Sequence, residues 1–231
     1  MIKVREVIER VQSLYSKGLK SSDSRLSSRH IYSVLLGVRA TLIKNQINKK
    51  QFLSDWSYSV NNCVEMIEVS SIECSCFSHL GCPIYRSKNK LPEVLTNLDL
   101  HLVDWVMKVD NSQIIEPTFR AENLYNKGNK YTSKKLKYVI ENGYLYINSI
   151  NSPGVIRLKY IASDPIQAQT FEDKCEPKED CLPAQERLFM IDRDLLTPLI
   201  QLSSQELIEI FSQMKEDKTN NSSDSLIQES K

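Results

Sequence analysis

Four potential metal ligands fall within nine residues: Cys74, Cys76, His79 and Cys82, with Cys63 a short way upstream. A structural zinc takes four thiolate or imidazole ligands in a tetrahedron. Cys-x-Cys is a poorer chelate than the paired C-x₂₋₄-C knuckle, so the clustered thiols read as small, buried, metal-free groups in a loop folded over a sheet. Cys175 and Cys181 flank an acidic, proline-containing loop, where a bridge or nothing is expected before a metal. Disulfides in general are the weaker expectation in a reducing compartment.

Histidine is limited to His30, His79 and His101, and none sits in a nucleophile motif. Neither G-x-S-x-G nor H-E-x-x-H occurs. Six glycines and the lack of a phosphate-cradling loop argue against nucleotide binding. The expectation is a protein with no catalytic, cofactor-binding or metal residue, and no enzyme.

Two basic constellations remain. Tyr131, Tyr138, Tyr144, Tyr146 and Tyr160 cluster in sequence with Lys127, Lys130, Lys134, Lys135 and Lys137. That pattern suits a stacking platform for single strands, a sheet with amphipathic edges, or a tyrosine-rich protein interface. Arg29, Arg39, Lys44, Lys49 and Lys50 lie off the apolar stripe of a long predicted helix. They form either a solvated face or a face turned toward DNA or an acidic partner.

The charge around them is sorted. Residues 1–60 hold eleven Lys/Arg and four Asp/Glu, whereas residues 164–231 hold seven and fifteen. The total of +1 hides this polarity, which would let a basic surface meet the acidic surface of another copy, or nucleic acid. No apolar run approaches a membrane span, and the N-terminus opens on charges rather than a signal-peptide core, so synthesis in a cytoplasm is expected, with use there or in something assembled there.

The elements that must position these groups read as α+β: a helical N-terminal arm and a C-terminal helix flanking a compact antiparallel β-sheet domain. Three regions are expected: 1–60 helical, 61–163 a β domain with the Cys-rich loop, and 164–231 an acidic connection, a helix and a polar tail. Val4, Val7, Ile8, Val11, Leu14 and Tyr15 mark one helical face, closed by Lys17-Gly18. Ile31, Leu35, Val38 and Leu42, with Ile47 close to their face, mark a second helix from about Ser28 to Lys50.

Val103, Trp105, Met107 and Val109 alternate with Asp104, Val106 and Lys108, as in a strand with Ile114–Phe119 returning beside it. Asn142-Gly143 between apolar runs is a hairpin signal. Ile156, Leu158 and Tyr160 alternate with Arg157 and Lys159. A sheet of four to six strands is expected, with Leu91–Leu100 as a loop or one helical turn. Leu199, Leu202, Leu207, Ile210, Phe211 and Met214 give the last helix an apolar face, which is the candidate assembly helix. It starts at Thr197-Pro198 or earlier, at Asp192 or Asp194. Residues 216–231 are too polar to order themselves.

Several stretches together carry a resemblance: Ser28–Arg39 (SRHIYSVLLGVR), Cys63–Glu68 (CVEMIE) with the Glu73–Cys82 loop, Gly128–Ser133 (GNKYTS), Asn142–Ile147 (NGYLYI) and Gln205–Asn221 (QELIEIFSQMKEDKTNN). The chain resembles the neck proteins of crAss-like bacteriophages, the ring or adaptor proteins between portal and tail. The resemblance spans nearly the whole chain and assigns no chemistry to any residue. It implies a virion structural subunit of the head–tail connector, forming a homo-oligomeric ring of about twelve copies. Its implied partners are the portal protein, other neck and tail rings, and genomic DNA passing without sequence-specific contact. Neither membrane nor cofactor is implied, and assembly in the host cytoplasm is. The alternative from another class is a nucleic-acid-binding protein using the basic N-terminal helices and the Lys/Tyr-rich sheet.

Overall fold

A computed structural model describes residues 2–17, 26–70, 83–118, 136–149, 151–171 and 182–227, the last sixteen of these by their backbone alone. The class is α+β, with helices before and after a β-rich domain. The chain divides into two compact units: a helical unit of Met1–Trp56 with Pro183–Lys231, and a β unit of Ser57–Leu182.

In the helical unit, α1 (Val4–Tyr15) buries Val4, Val7, Ile8 and Val11, as their spacing predicts. Leu14, from the same predicted face, is 50% exposed. The left-handed residue after α1 is Lys17 (φ 51), one position earlier than the glycine expected to take it. Helix α2 (Ser28–Asn48) is capped by Ser27, whose hydroxyl accepts the His30 amide. Its buried stripe is Ile31, Val34, Leu35, Val38, Arg39 and Ile43, so the inner face is rotated from the predicted one and leaves Leu42 half-buried.

The chain before α1 pairs with residues near 188: Val4 N donates to Arg187 O at 2.9 Å and Phe189 N to Ile2 O at 2.9 Å. Helix α4 (Arg193–Ile227) packs on both α1 and α2. It starts before Thr197-Pro198 and continues as backbone helix through Ile227, where an unordered tail was expected. A helix nucleated on packed turns extends without repeating the nucleation cost.

The β unit is a closed barrel, not an open sheet. Strands β1 (Ser59–Val69), β2 (Ile84–Ser87), β5 (Val103–Lys108), β6 (Ile114–Pro117), β7 (Lys137–Glu141), β8 (Tyr144–Asn148) and β9 (Val155–Tyr160) run in the order β1-β2-β8-β7-β6-β5-β9, with β9 returning to β1. Every pair is antiparallel except β6–β7, which is parallel. Closure removes the open edges that invite aggregation. Val106, Ile115, Leu145, Ile147, Ile156, Leu158 and Tyr160 are completely buried in one core. Asn142 and Gly143 (φ 54 and 80) form the expected tight turn between β7 and β8. Helix α3 (Pro165–Thr170), capped by Asp164, adds Ala168 to this core.

The segment expected as a loop or helical turn holds a small hairpin, β3 (Thr96–Asn97) and β4 (Leu100–His101). Its turn residues Leu98 and Asp99 both have left-handed backbone (φ 48 and 63), and Leu98 is 86% exposed. A two-residue turn of this kind favours Asn-Gly, because a side chain at positive φ costs about 1–2 kcal/mol. Replacing Leu98-Asp99 by Asn-Gly should therefore stabilise the chain by about 1–2 kcal/mol. An unchanged or lower urea midpoint would show that the turn is not strained.

Candidate functional site

Among the described residues, no group of three or more His, Cys, Asp or Glu is placed to hold a metal. Cys74, Cys76, His79, Cys82, Cys175 and Cys181 lie outside the described residues, so the Cys-rich loop is not described. Cys63, on β1, is 5% exposed and disulfide-bonded, with its partner outside those residues. The expectation that disulfides are the weaker outcome is corrected here: compartment is only a prior, whereas a bridge needs two facing thiols.

His101 is exposed on β4, and His30 meets the Phe211 ring edge-on at 6.2 Å. No described helix is long and apolar enough to cross a membrane. Of the Tyr/Lys cluster, Tyr131 and its four nearest lysines fall outside the described residues. Tyr138, Tyr146, Tyr160 and Lys137 are buried, so these four offer no stacking platform. Burial in the barrel also pushes the Tyr138 hydroxyl up to about 12.

The basic residues of α2 do not share one environment. Arg29, Lys49 and Lys50 are exposed and Lys44 is half-buried. Arg39 is only 1% exposed, and its Nε donates to Met190 O at 2.7 Å. The apolar positions of α4 are similarly divided. Leu199 and Leu207 are fully buried, Ile210 and Phe211 are half-buried, and Phe211 stacks edge-on with Tyr15 at 5.9 Å. Leu202 is 44% exposed, and the side chain of Met214 lies outside the described residues. Most of the predicted assembly face is thus consumed within the helical unit.

Part of the sorted charge is consumed there too. Lys3 Nζ sits 2.8 Å from Glu186 Oε2, and Arg5 Nη1 lies 3.8 Å from its other oxygen. The hydrogen bond from Lys3 holds the Glu186 carboxyl below its usual range and raises the lysine. Asp192 immediately precedes α4 and acts as its cap. Its Oδ1 accepts the Asp194 amide at 3.4 Å, and Oδ2 accepts the Ser54 amide at 3.1 Å. Burial pushes the Asp192 carboxyl upward, but these hydrogen bonds outweigh it, and the net shift is down.

A carboxyl depressed in the folded state contributes stability that is full above its unfolded value and is lost as pH falls through its folded one. Asp192→Ala should therefore cost about 0.5–2 kcal/mol at pH 7, with the gap from wild type narrowing below the ordinary 3.8. Urea unfolding at both pH values checks this, and a gap that widens in acid would refute it.

The barrel carries a surface that the sequence did not predict. Of the two alternating sets of β5, Val106 is the buried residue, paired with Leu158, and Trp105 and Met107 lie on the other face. A register shift between Val103, which packs against the core, and Trp105 turns Trp105 and Met107 outward. Outward neighbours across the sheet are then Val60, Lys159 and Trp105 in one row, and Arg157, Met107 and Ile114 in the next.

Arg157 lies 5.8 Å from the Trp105 ring centre and donates to Asn62 Oδ1 and Asn111 Oδ1, each at 3.0 Å. Lys159 lies 4.5 Å from the Tyr58 ring and 2.7 Å from Asp104 Oδ2. Two cations held over aromatic rings, rimmed by exposed aliphatics, have the composition of protein interfaces. The legible signal was Arg157 and Lys159 on alternate positions of β9; the shift in β5 left none.

With this geometry in place, comparison with known proteins gives two findings. Residues 6–226 match the family described as phage tail ring protein 2. The chain is also 29% identical over 205 residues to ring protein 2 of Bacteroides phage crAss001, a match covering 82% of this chain and 84% of that protein.

Proposed function

The chain belongs to the phage tail ring protein 2 family, structural ring proteins of bacteriophage virions, and from that premise we propose that it is a subunit of the head–tail connector. In this reading identical copies, about twelve, close into a ring that docks on the portal and surrounds the DNA channel. The subunits assemble in the host cytoplasm and remain in the neck of the virion. The ring has no enzymatic role. The observation that carries the reading is the family match over residues 6–226, which takes in both the helical and the β unit.

Arg29, Lys44, Lys49 and Lys50 are the residues proposed to face DNA or an acidic neighbour; Arg39, buried, is not among them. A channel must let DNA pass, so contact with it is weak, independent of sequence and screened beyond a Debye length of about 8–10 Å. Reconstruction of the intact virion neck tests the reading. The expected result is a closed ring of this chain around the channel, next to the portal. Finding the chain elsewhere in the particle, or not at all, would remove it. Sequence-specific, salt-resistant DNA binding by the isolated protein would favour a nucleic-acid-binding protein instead.

A further inference from the structure

We propose that the outward face of β1, β9, β5 and β6 seats a second copy of this chain, and that the exposed face of that copy's α4 sits on it. The proposal rests on the ring reading, because a ring of identical subunits needs two different surfaces on each chain that fit one another.

The barrel face supplies the first surface. Outward positions of an antiparallel sheet that faces water are ordinarily polar. Here Val60 is 45% exposed and Ile114 64% exposed, with Trp105 and Met107 half-exposed between them. The guanidinium of Arg157 is fixed over Trp105 by the amide oxygens of Asn62 and Asn111. Among the described residues no carboxylate pairs with it, so its positive charge is oriented yet uncompensated. Orientation before contact lowers the entropy cost of binding, and Arg and Trp are the residue types most often dominant in interfaces.

Helix α4 supplies the second. Leu202, Gln205, Glu206 and Glu209 are exposed at helical spacing and lie on one face, with Ile208 (46% exposed) beside it. That face is acidic and carries one exposed leucine on it and an isoleucine at its flank. On the barrel face Lys159 is held by Asp104, which leaves the oriented Arg157 as the cation without a carboxylate partner among the described residues, beside exposed aliphatics. Charge complementarity therefore favours α4 of a neighbouring copy over a basic partner. Apolar contact through Leu202 supplies most of the affinity, while the charges fix register, since rim ion pairs contribute only about 0–1 kcal/mol.

Phage carrying full-length variants provide the test, with copies of this chain per purified particle as the readout. Arg157→Glu and Glu206→Arg should each reduce incorporation about tenfold, and the double variant should recover it to within about twofold of wild type. Ile114→Lys and Leu202→Glu form a second pair with the same expected pattern. Both sites are exposed, so this pair decides the matter if Arg157→Glu loses the fold through Asn62 and Asn111.

Wild-type incorporation of both barrel-face variants would overturn the proposal while leaving the ring reading intact. Exclusion of the singles without recovery in the doubles would also overturn it, because another protein would then cover the face. Absence of the wild-type chain from particles would overturn the ring reading itself.

Discussion

Arg39→Ala is expected to destabilise the chain by about 3–5 kcal/mol in urea unfolding. The side chain is 1% exposed on the inner face of α2, and its Nε donates to the Met190 carbonyl at 2.7 Å. Losing a charge-assisted hydrogen bond costs about 1.5–3 kcal/mol. The cavity left by the long stem adds about 24 cal/mol per Å³ that fails to collapse. Arg39→Lys should recover only part of the loss, because an ammonium cannot reproduce the planar geometry of the guanidinium. Arg29→Ala, at an exposed position of the same helix, should stay within about 0.5 kcal/mol of wild type. If Arg39→Ala also stayed within that margin, the side chain would not be a packing element of the helical unit.

Leu199→Ala should cost about 2–5 kcal/mol, the range for truncating a fully buried leucine. This outcome separates two roles for α4. A helix whose apolar face waits for a partner loses assembly on truncation but keeps its stability alone. A helix whose face is already covered by α1 and α2 loses stability alone. Leu202→Ala is the matched control, since Leu202 is 44% exposed on the same helix. Its unfolding midpoint should barely move. A Leu199→Ala protein as stable as wild type would return the buried face of α4 to the list of assembly surfaces.

Local pattern alone determined the elements whose cause is local. The 3.6-residue spacing of Val4, Val7, Ile8 and Val11 needs no partner to define a face, and those residues are the buried ones of α1. Asn142-Gly143 carries its own turn geometry, because both residues tolerate positive φ. Ile156, Leu158 and Tyr160 alternate with Arg157 and Lys159 strictly enough that β9 has one possible inner face. The α+β class and the resemblance to phage neck proteins were legible for the same reason: each is a property of stretches of sequence.

Tertiary structure decided whatever depends on residues far apart in the chain. Period two names two faces for β5 and cannot choose between them. The shift between Val103 and Trp105 chose Val106 for the core and left Trp105 and Met107 outside. Closure of the sheet depends on β9 meeting β1, ninety residues and more away. The sorted charge suggested a meeting between molecules, but Lys3 and Arg5 meet Glu186 inside one unit. Arg39 lay off the predicted stripe because its charge was read without the Met190 carbonyl that it bonds. The α4 face read for assembly was mostly spent on α1 and α2, which left Leu202 outside. A sequence lists which groups need partners; only the packed chain determines which of them find one within the molecule and which are left for a neighbour.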